Sequence, residues 1–273
     1  MNNYNSNFLY KYKIIIVISL LLFCFHPVWA DEQGHEEVSG DVFPFEISFY
    51  DPAMPPTTAE EWLQVGFAAQ MMGDFDEASE ALLNATLLKP DSAFYQTAYS
   101  TMLFAKGDFE SAYHAAKNAL DLDPEYADGW SALGDAASMV SDRIDEAIAA
   151  YTSSLSLNPE SSQAAIIHYN IGSLYLQQGN FKQAREHFEK AIEKDGTNAA
   201  YWLNKGVAEF SESDFLSANQ SFDRAVALDP SLPGALDNLH VTTEMLKNPP
   251  SAPLGLLGIA VGLCTGLWYS RKI

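Results

Sequence analysis

Chemistry needs side chains that can meet, and the histidines are the first to consider. Six stand at positions 26, 35, 114, 168, 187 and 240, scattered without the short spacings by which metal ligands gather on one helix or loop. The chain holds no G-x-S-x-G elbow, no H-E-x-x-H, no glycine-rich phosphate loop and no paired cysteines. Asp121 and Asp123 have the look of a carboxylate pair, but they stand just before Pro124, where a turn keeps acids in solvent. No catalytic residue, cofactor or metal ligand is expected, and binding is the chemistry left.

The charge narrows what could be bound. All 36 acidic residues lie between Asp31 and Asn248, while four of the 15 basic residues, Lys11, Lys13, Arg271 and Lys272, lie outside that stretch. The middle therefore carries 11 basic against 36 acidic side chains. Such a surface repels nucleic acid, which is held by clustered Lys and Arg, and it speeds the approach of basic proteins or cations. Solubility in a salty medium is the plainer use of the same charge.

Both ends are apolar. Lys11 and Lys13 precede the run Ile14 to Phe25, and Val28 and Ala30 bracket Trp29, the pattern of a secretory signal cut after Ala30. Residues 1–30 are read as this signal. At the other end no charge falls between Asn248 and Ser270, so 253–270 is predicted to be a short membrane helix. Trp268 and Tyr269 suit the interface, and Arg271-Lys272 in the tail 271–273 belong on the cytoplasmic side. Gly258, Gly262 and Gly266 repeat the G-x-x-x-G spacing, which predicts a homodimer through that helix. Cys24 and Cys264 both fall in these terminal runs, so the exported part has no disulfide and depends on packing.

Repeats organise the middle. Leu88-Lys-Pro90, Leu122-Asp-Pro124, Leu157-Asn-Pro159, Gly196 and Leu228-Asp-Pro230 succeed one another at 34, 35, 37 and 34 residues. Inside each unit lies a second marker: Gly73-Asp-Phe75, Gly107-Asp-Phe109, Ser141-Asp-Arg-Ile144, Gly179-Asn-Phe181 and Ser213-Asp-Phe215. Apolar residues between the markers recur at three and four, the helical period. Each unit is thus helix, turn, helix and Pro-bearing turn, with Asp or Asn capping the second helix.

These units resemble tetratricopeptide repeats. Trp62…Gly66, Trp130…Gly134 and Trp202…Gly206 open first helices, His168…Gly172 copies them imperfectly, and Gln96…Ser100 does so least. Second helices carry Ala78–Leu82–Ala85, Ala147–Tyr151–Ser154, Ala184–Phe188–Ala191 and Ala218–Phe222–Ala225, while Ala112–Ala116–Ala119 lacks the large member. His168, standing where sister units have Trp, is read as a packed ring. The resemblance implies an all-α, right-handed superhelical solenoid. Its five repeats are 59–92, 93–126, 127–161, 165–198 and 199–232. A capping helix over 233–247 follows, with Leu236, Leu239, Val241, Met245 and Leu246 as its apolar residues. An acidic linker, 31–58, precedes the array, and a Pro-rich linker, 248–252, leads to the membrane helix. Within the first linker Phe43, Phe45, Ile47 and Phe49 alternate as in a strand; they either cover the first hairpin or lie in the array's groove.

The same resemblance implies a peptide-binding concave face built from first helices. By register it includes Leu63, Phe67, Met71, Phe94, Thr97, Phe104, Asp135, Met139, Tyr169, Leu176, Leu203, Val207 and Phe210. The Lys and Asn set that clamps a C-terminal carboxylate in some family members is absent. The expected ligand is an extended peptide, partly hydrophobic and basic at its flanks. Asn84-Ala-Thr86 and Asn219-Gln-Ser221 match the glycosylation sequon, with both asparagines expected to face outward. Together these features describe a single-pass protein of the cell membrane, its repeats on the extracytoplasmic side, working as a scaffold or adaptor. An assembly factor for surface or periplasmic complexes shares the same physics. The tail also resembles the sorting signals cleaved by transpeptidases.

Overall fold

A computed structural model describes residues 55–247, and every regular element among them is an α-helix. In chain order these are α1 (Ala59–Met71), α2 (Phe75–Leu88), α3 (Ala93–Lys106), α4 (Phe109–Leu122), α5 (Ala127–Ser138), α6 (Ile144–Leu157), α7 (Ala164–Gln177), α8 (Phe181–Lys194), α9 (Ala199–Ser211), α10 (Phe215–Leu228) and α11 (Ala235–Lys247). They group into two compact units that part after Asp108, one holding α1–α3 and the other α4–α11. The predicted signal, most of the acidic linker, the Pro-rich linker, the membrane helix with Gly258, Gly262 and Gly266, and the basic tail lie outside the described residues. Among the described residues no helix is long and apolar enough to cross a membrane.

Local chemistry explains where each helix starts. Thr58 and Glu61 form a reciprocal capping box on α1, with the Glu61 amide donating to Thr58 Oγ1 at 3.2 Å and the Thr58 amide donating to Glu61 Oε2 at 3.0 Å. Asp74 and Asp214 accept from the amides of Glu77 and Ser217, each at 3.1 Å. Such caps are worth about 1 kcal/mol apiece. The expected cap at Asn180 does not form: its amide group donates to Gln178 Oε1 instead. The turns between paired helices need one left-handed residue. Gly73, Gly107 and Gly179 supply it with φ of 76°, 91° and 75°. Asp142 and Ser213 take the same conformation, at 65° and 66°, a strain that glycine would relieve. At the other turn, Trp130 Nε1 donates to the Pro124 carbonyl at 2.8 Å and Trp202 Nε1 to the Gly196 carbonyl at 3.1 Å. The aromatic that opens a first helix is thereby tied to the turn before it.

Within a hairpin the helices approach because a small residue faces a large one. A Cβ added at Gly134 would stand 2.6 Å from the Tyr151 ring, at Gly172 2.7 Å from Phe188, and at Gly206 2.6 Å from Phe222; at Gly66 it would strike Leu82. In the second repeat the sequence puts Ser100 and Ala116 at these two register positions, a larger small residue with a smaller large one. Gly134→Ala should therefore cost about 1–3 kcal/mol, as overpacking does, read as a lower urea midpoint with an unchanged slope.

In the second unit successive helices pack in order, and α7 also touches α9, the first helix of the next repeat. The final hairpin is closed by α11, which buries Ala235 and Thr242 and lays Leu239 against the cluster around Phe222. Two residues expected to cap do not: Leu236 and Leu246 are exposed. The apolar stripe of α11 is broader than the face it buries.

Candidate functional site

The predicted binding face divides into three environments. Leu63, Thr97 and Leu203 are buried and belong to the core rather than to a surface. Phe104, Asp135, Met139, Tyr169, Leu176, Val207 and Phe210 are half-buried, whereas Phe67, Met71 and Phe94 are 44%, 76% and 44% exposed. Val207 and Phe210 lean on the Phe222 cluster, and Tyr169 and Leu176 lean on Phe188 and Ala208. A stripe at helical spacing serves packing and surface at once, and the neighbouring hairpin decides the share.

In the first unit the open residues of the predicted face are Phe67 and Met71, one turn apart on α1, and Phe94 on α3, which meets Tyr95 edge-on at 5.2 Å; Leu83, Leu87 and Leu88 on α2 are exposed as well. Tyr95 is buried, and its hydroxyl donates to Glu60 Oε1 at 3.2 Å. Burial and that carboxylate push the phenol up to about 12, so it stays a neutral donor.

The second unit carries polar groups that join first helices one repeat apart. Tyr151 Oη donates to Asp135 Oδ1 at 2.5 Å, and Asn170 Nδ2 reaches Tyr151 Oη at 3.2 Å and Asp135 Oδ1 at 3.4 Å. Burial raises the Asp135 carboxyl to about 6, against the opposing pull of the Tyr151 hydrogen bond. Farther along, Asn204 Nδ2 donates to Tyr169 Oη at 2.7 Å, and Tyr169 stacks obliquely on Tyr201 at 5.1 Å. Glu209 is 3% exposed, accepts from Ser221 Oγ at 2.6 Å and pairs with Lys205 at 3.1 Å. These groups are occupied with one another, so the arrangement stiffens a face and presents ring edges rather than reactive atoms.

Sequence reasoning missed Tyr151, Asn170 and Asn204 as members of this network. The available signal was register: Asn170 and Asn204 each sit two residues before the small residue of a first helix, Gly172 and Gly206. The histidines also need correction. His168 is half-buried as a packed ring, but its Nδ1 lies 3.3 Å from Nδ1 of His187, which the sequence left scattered. Asn219 does not face outward: its amide donates to Thr243 Oγ1 at 2.8 Å and Thr242 Oγ1 at 3.0 Å on α11. Asn84 is partly exposed on α2. Asp121 and Asp123 are exposed, Asp121 in the last turn of α4 and Asp123 accepting from the Glu125 amide at 3.0 Å.

Residues 125–195 and 169–233 each match a tetratricopeptide repeat family profile. The chain carries tetratricopeptide repeats. General transcriptional corepressor ssn6 of Schizosaccharomyces pombe is 29% identical over 136 residues, which is 50% of this chain and 12% of that protein. Protein O-mannosyl-transferase TMTC3 of Homo sapiens is 26% identical over 201 residues, 68% of this chain and 22% of that one. The chain thus spans less than a quarter of either curated relative. Among solved structures, YrrB, described as a TPR protein with an unusual peptide-binding site, superposes with a TM-score of 0.54 at 17% identity, covering 68% of this chain and 92% of its own. At that identity the likeness is one of fold.

Proposed function

We propose that this chain is a protein-binding scaffold, tethered by its C-terminal run to the outer face of the cytoplasmic membrane, whose repeats hold extended, partly hydrophobic peptides with basic flanks. The observation that carries the reading is the open apolar set Phe67, Met71 and Phe94 on a strongly acidic body. Seven of the 11 basic residues between Asp31 and Asn248 are engaged in ion pairs: Lys89, Lys106, Arg143, Arg185, Lys194, Lys205 and Lys247. The acidic excess sets the field beyond them, and it favours a basic ligand. Peptide binding by YrrB supports the kind of ligand. The mannosyl-transferase relative is matched over only a minor part of its length, and scaffold work is the reading that needs no reacting group. The terminal apolar runs support the membrane placement.

Selection of peptides from a displayed library on the full chain tests this directly. Enriched sequences should combine large apolar residues with flanking Lys or Arg. Their on-rate should fall about tenfold or more as salt rises through physiological strength, where screening shortens electrostatic reach to about 8 Å. Phe67→Ala and Phe94→Ala should weaken capture by about 1–2 kcal/mol, roughly 5- to 30-fold. A salt-insensitive on-rate removes the electrostatic half of the proposal, and unchanged affinity in both variants removes the apolar half.

A further inference from the structure

The fourth hairpin departs from its sisters at two places at once. Where the first, third and fifth repeats hold Trp62 with Ala81, Trp130 with Ala150, and Trp202 with Ser221, the fourth holds His168 with His187. Each second member stands one residue before the large residue of its helix, and Ala81, Ala150 and Ser221 are all buried. Two imidazoles thus replace one indole and one small side chain, so the volume is kept while the chemistry changes.

The geometry of the exchange is specific. The two Nδ1 atoms face each other at 3.3 Å, and the ring centres are 5.3 Å apart at an interplanar angle of 56°. That N···N separation is long for a hydrogen bond, which prefers about 2.7–3.2 Å. It equals the edge of a tetrahedron of imidazole nitrogens about 2.0–2.1 Å from a central ion. The ring centres are also closer than collinear rings would be at this N···N distance. At least one Nδ1 axis is therefore inclined to the N···N line, and two rings about 2.0–2.1 Å from one tetrahedral ion would have their centres at about this distance. Both rings are half-buried, which leaves an edge open to solvent.

We propose that His168 and His187 form a binding site for a borderline divalent transition metal, Cu2+ or Zn2+, through their two Nδ1 atoms. Imidazole suits both ions: the 3.3 Å edge fits tetrahedral Zn2+ as it stands, while Cu2+, which binds such ligands more tightly but prefers a tetragonal shell with cis nitrogens about 2.8 Å apart, needs the two rings to close by about half an ångström. Among the described residues no third His, Cys or carboxylate joins the pair in a ligand cluster, so water completes the shell. Burial holds both imidazoles down at about 4, with Lys190 contributing at each. Both rings are consequently neutral at physiological pH, the form in which imidazole ligates a metal. Lys190 and Lys194 oppose a cation here, though Lys194 is drawn to Glu160 Oε2 at 2.7 Å.

The test compares untagged full chain with the double variant His168→Trp/His187→Ser, which installs the pair of the fifth repeat and so keeps the hairpin packed. Wild type should bind one more equivalent of Cu2+ than the variant by isothermal titration. Its Cu2+ electron paramagnetic resonance spectrum should show coupling to two imidazole nitrogens that the variant lacks. Zn2+ should raise the wild-type melting temperature and leave that of the variant unmoved, and Lys190→Gln should tighten binding. Equal stoichiometry in a folded variant, or unchanged nitrogen coupling, overturns the site. Should the variant fail to fold, His187→Gln with retained helical signal carries the same comparison.

Discussion

Phe222→Ala should lower the stability of the repeat array by about 3–5 kcal/mol, the cost of deleting a buried aromatic and leaving its cavity. Phe222 is 1% exposed at the centre of the last hairpin, among Leu203, Ala218, Ala225 and Ala235. Gly206→Ser alone should also destabilise, by about 1–3 kcal/mol, because even a Cβ there would lie 2.6 Å from the Phe222 ring. Joined in one chain, the two changes recreate the Ser100 and Ala116 combination that the second repeat already uses. The double variant should therefore lose less than the sum of the singles, with a coupling of about 0.5–3 kcal/mol between contacting residues. Urea unfolding followed by helical signal, fitted as coupled hairpins, measures all four corners of the cycle. Strictly additive losses would show that the small–large pairing is not what spaces the helices.

Replacing Asp135 with Asn should stabilise the protein at neutral pH. The carboxyl is raised from an ordinary 3.8 to about 6, chiefly by burial. Between those values the folded state holds a proton that the unfolded chain has released. The contribution of Asp135 is therefore fully present below about pH 3.8 and is lost as the pH climbs through about 6. About two pKa units correspond to roughly 3 kcal/mol, an upper bound on the gain from Asp135→Asn at pH 7. Below pH 3.8 the two proteins should converge. The neutral side chain still accepts from Tyr151, and the other repeats place Phe67, Thr101, Ser173 and Val207 at this register, none of them charged. Thermal melts of both proteins from pH 3.5 to 7.5 give the difference curve. If Asp135→Asn is the less stable at pH 7, the Tyr151 and Asn170 hydrogen bonds need an ionised acceptor more than burial penalises it.

The binding face was only partly legible in advance, and particular residues show why. Phe67 and Leu63 are four apart on α1 and share one stripe, yet Phe67 is 44% exposed and Leu63 3%. Asn219 shares its helix with buried Ala218 and Phe222, and its sequon suggested an outward face. The amide is instead spent on α11, whose Thr242 and Thr243 lie more than twenty residues later. Leu236 and Leu246 carry the apolar character of a cap without doing its work. Helical period tells which way a side chain leaves its own helix. It does not tell how far the next helix comes over it.

What the residues determined unaided was everything that depends on neighbours in the chain. The period of 34 to 37, the paired helices, the left-handed turn residue and the small residue set against a large one all follow from local backbone rules and from volumes that recur in register. What only the tertiary structure decided was which polar side chains meet between helices. Asn170 comes to the Asp135–Tyr151 pair from 35 residues beyond Asp135, Asn204 reaches Tyr169 across the same separation, and His168 meets His187 across a turn. Such meetings are fixed by how closely helices pack, a quantity set by the summed bulk at their interface and carried by no single stretch of sequence.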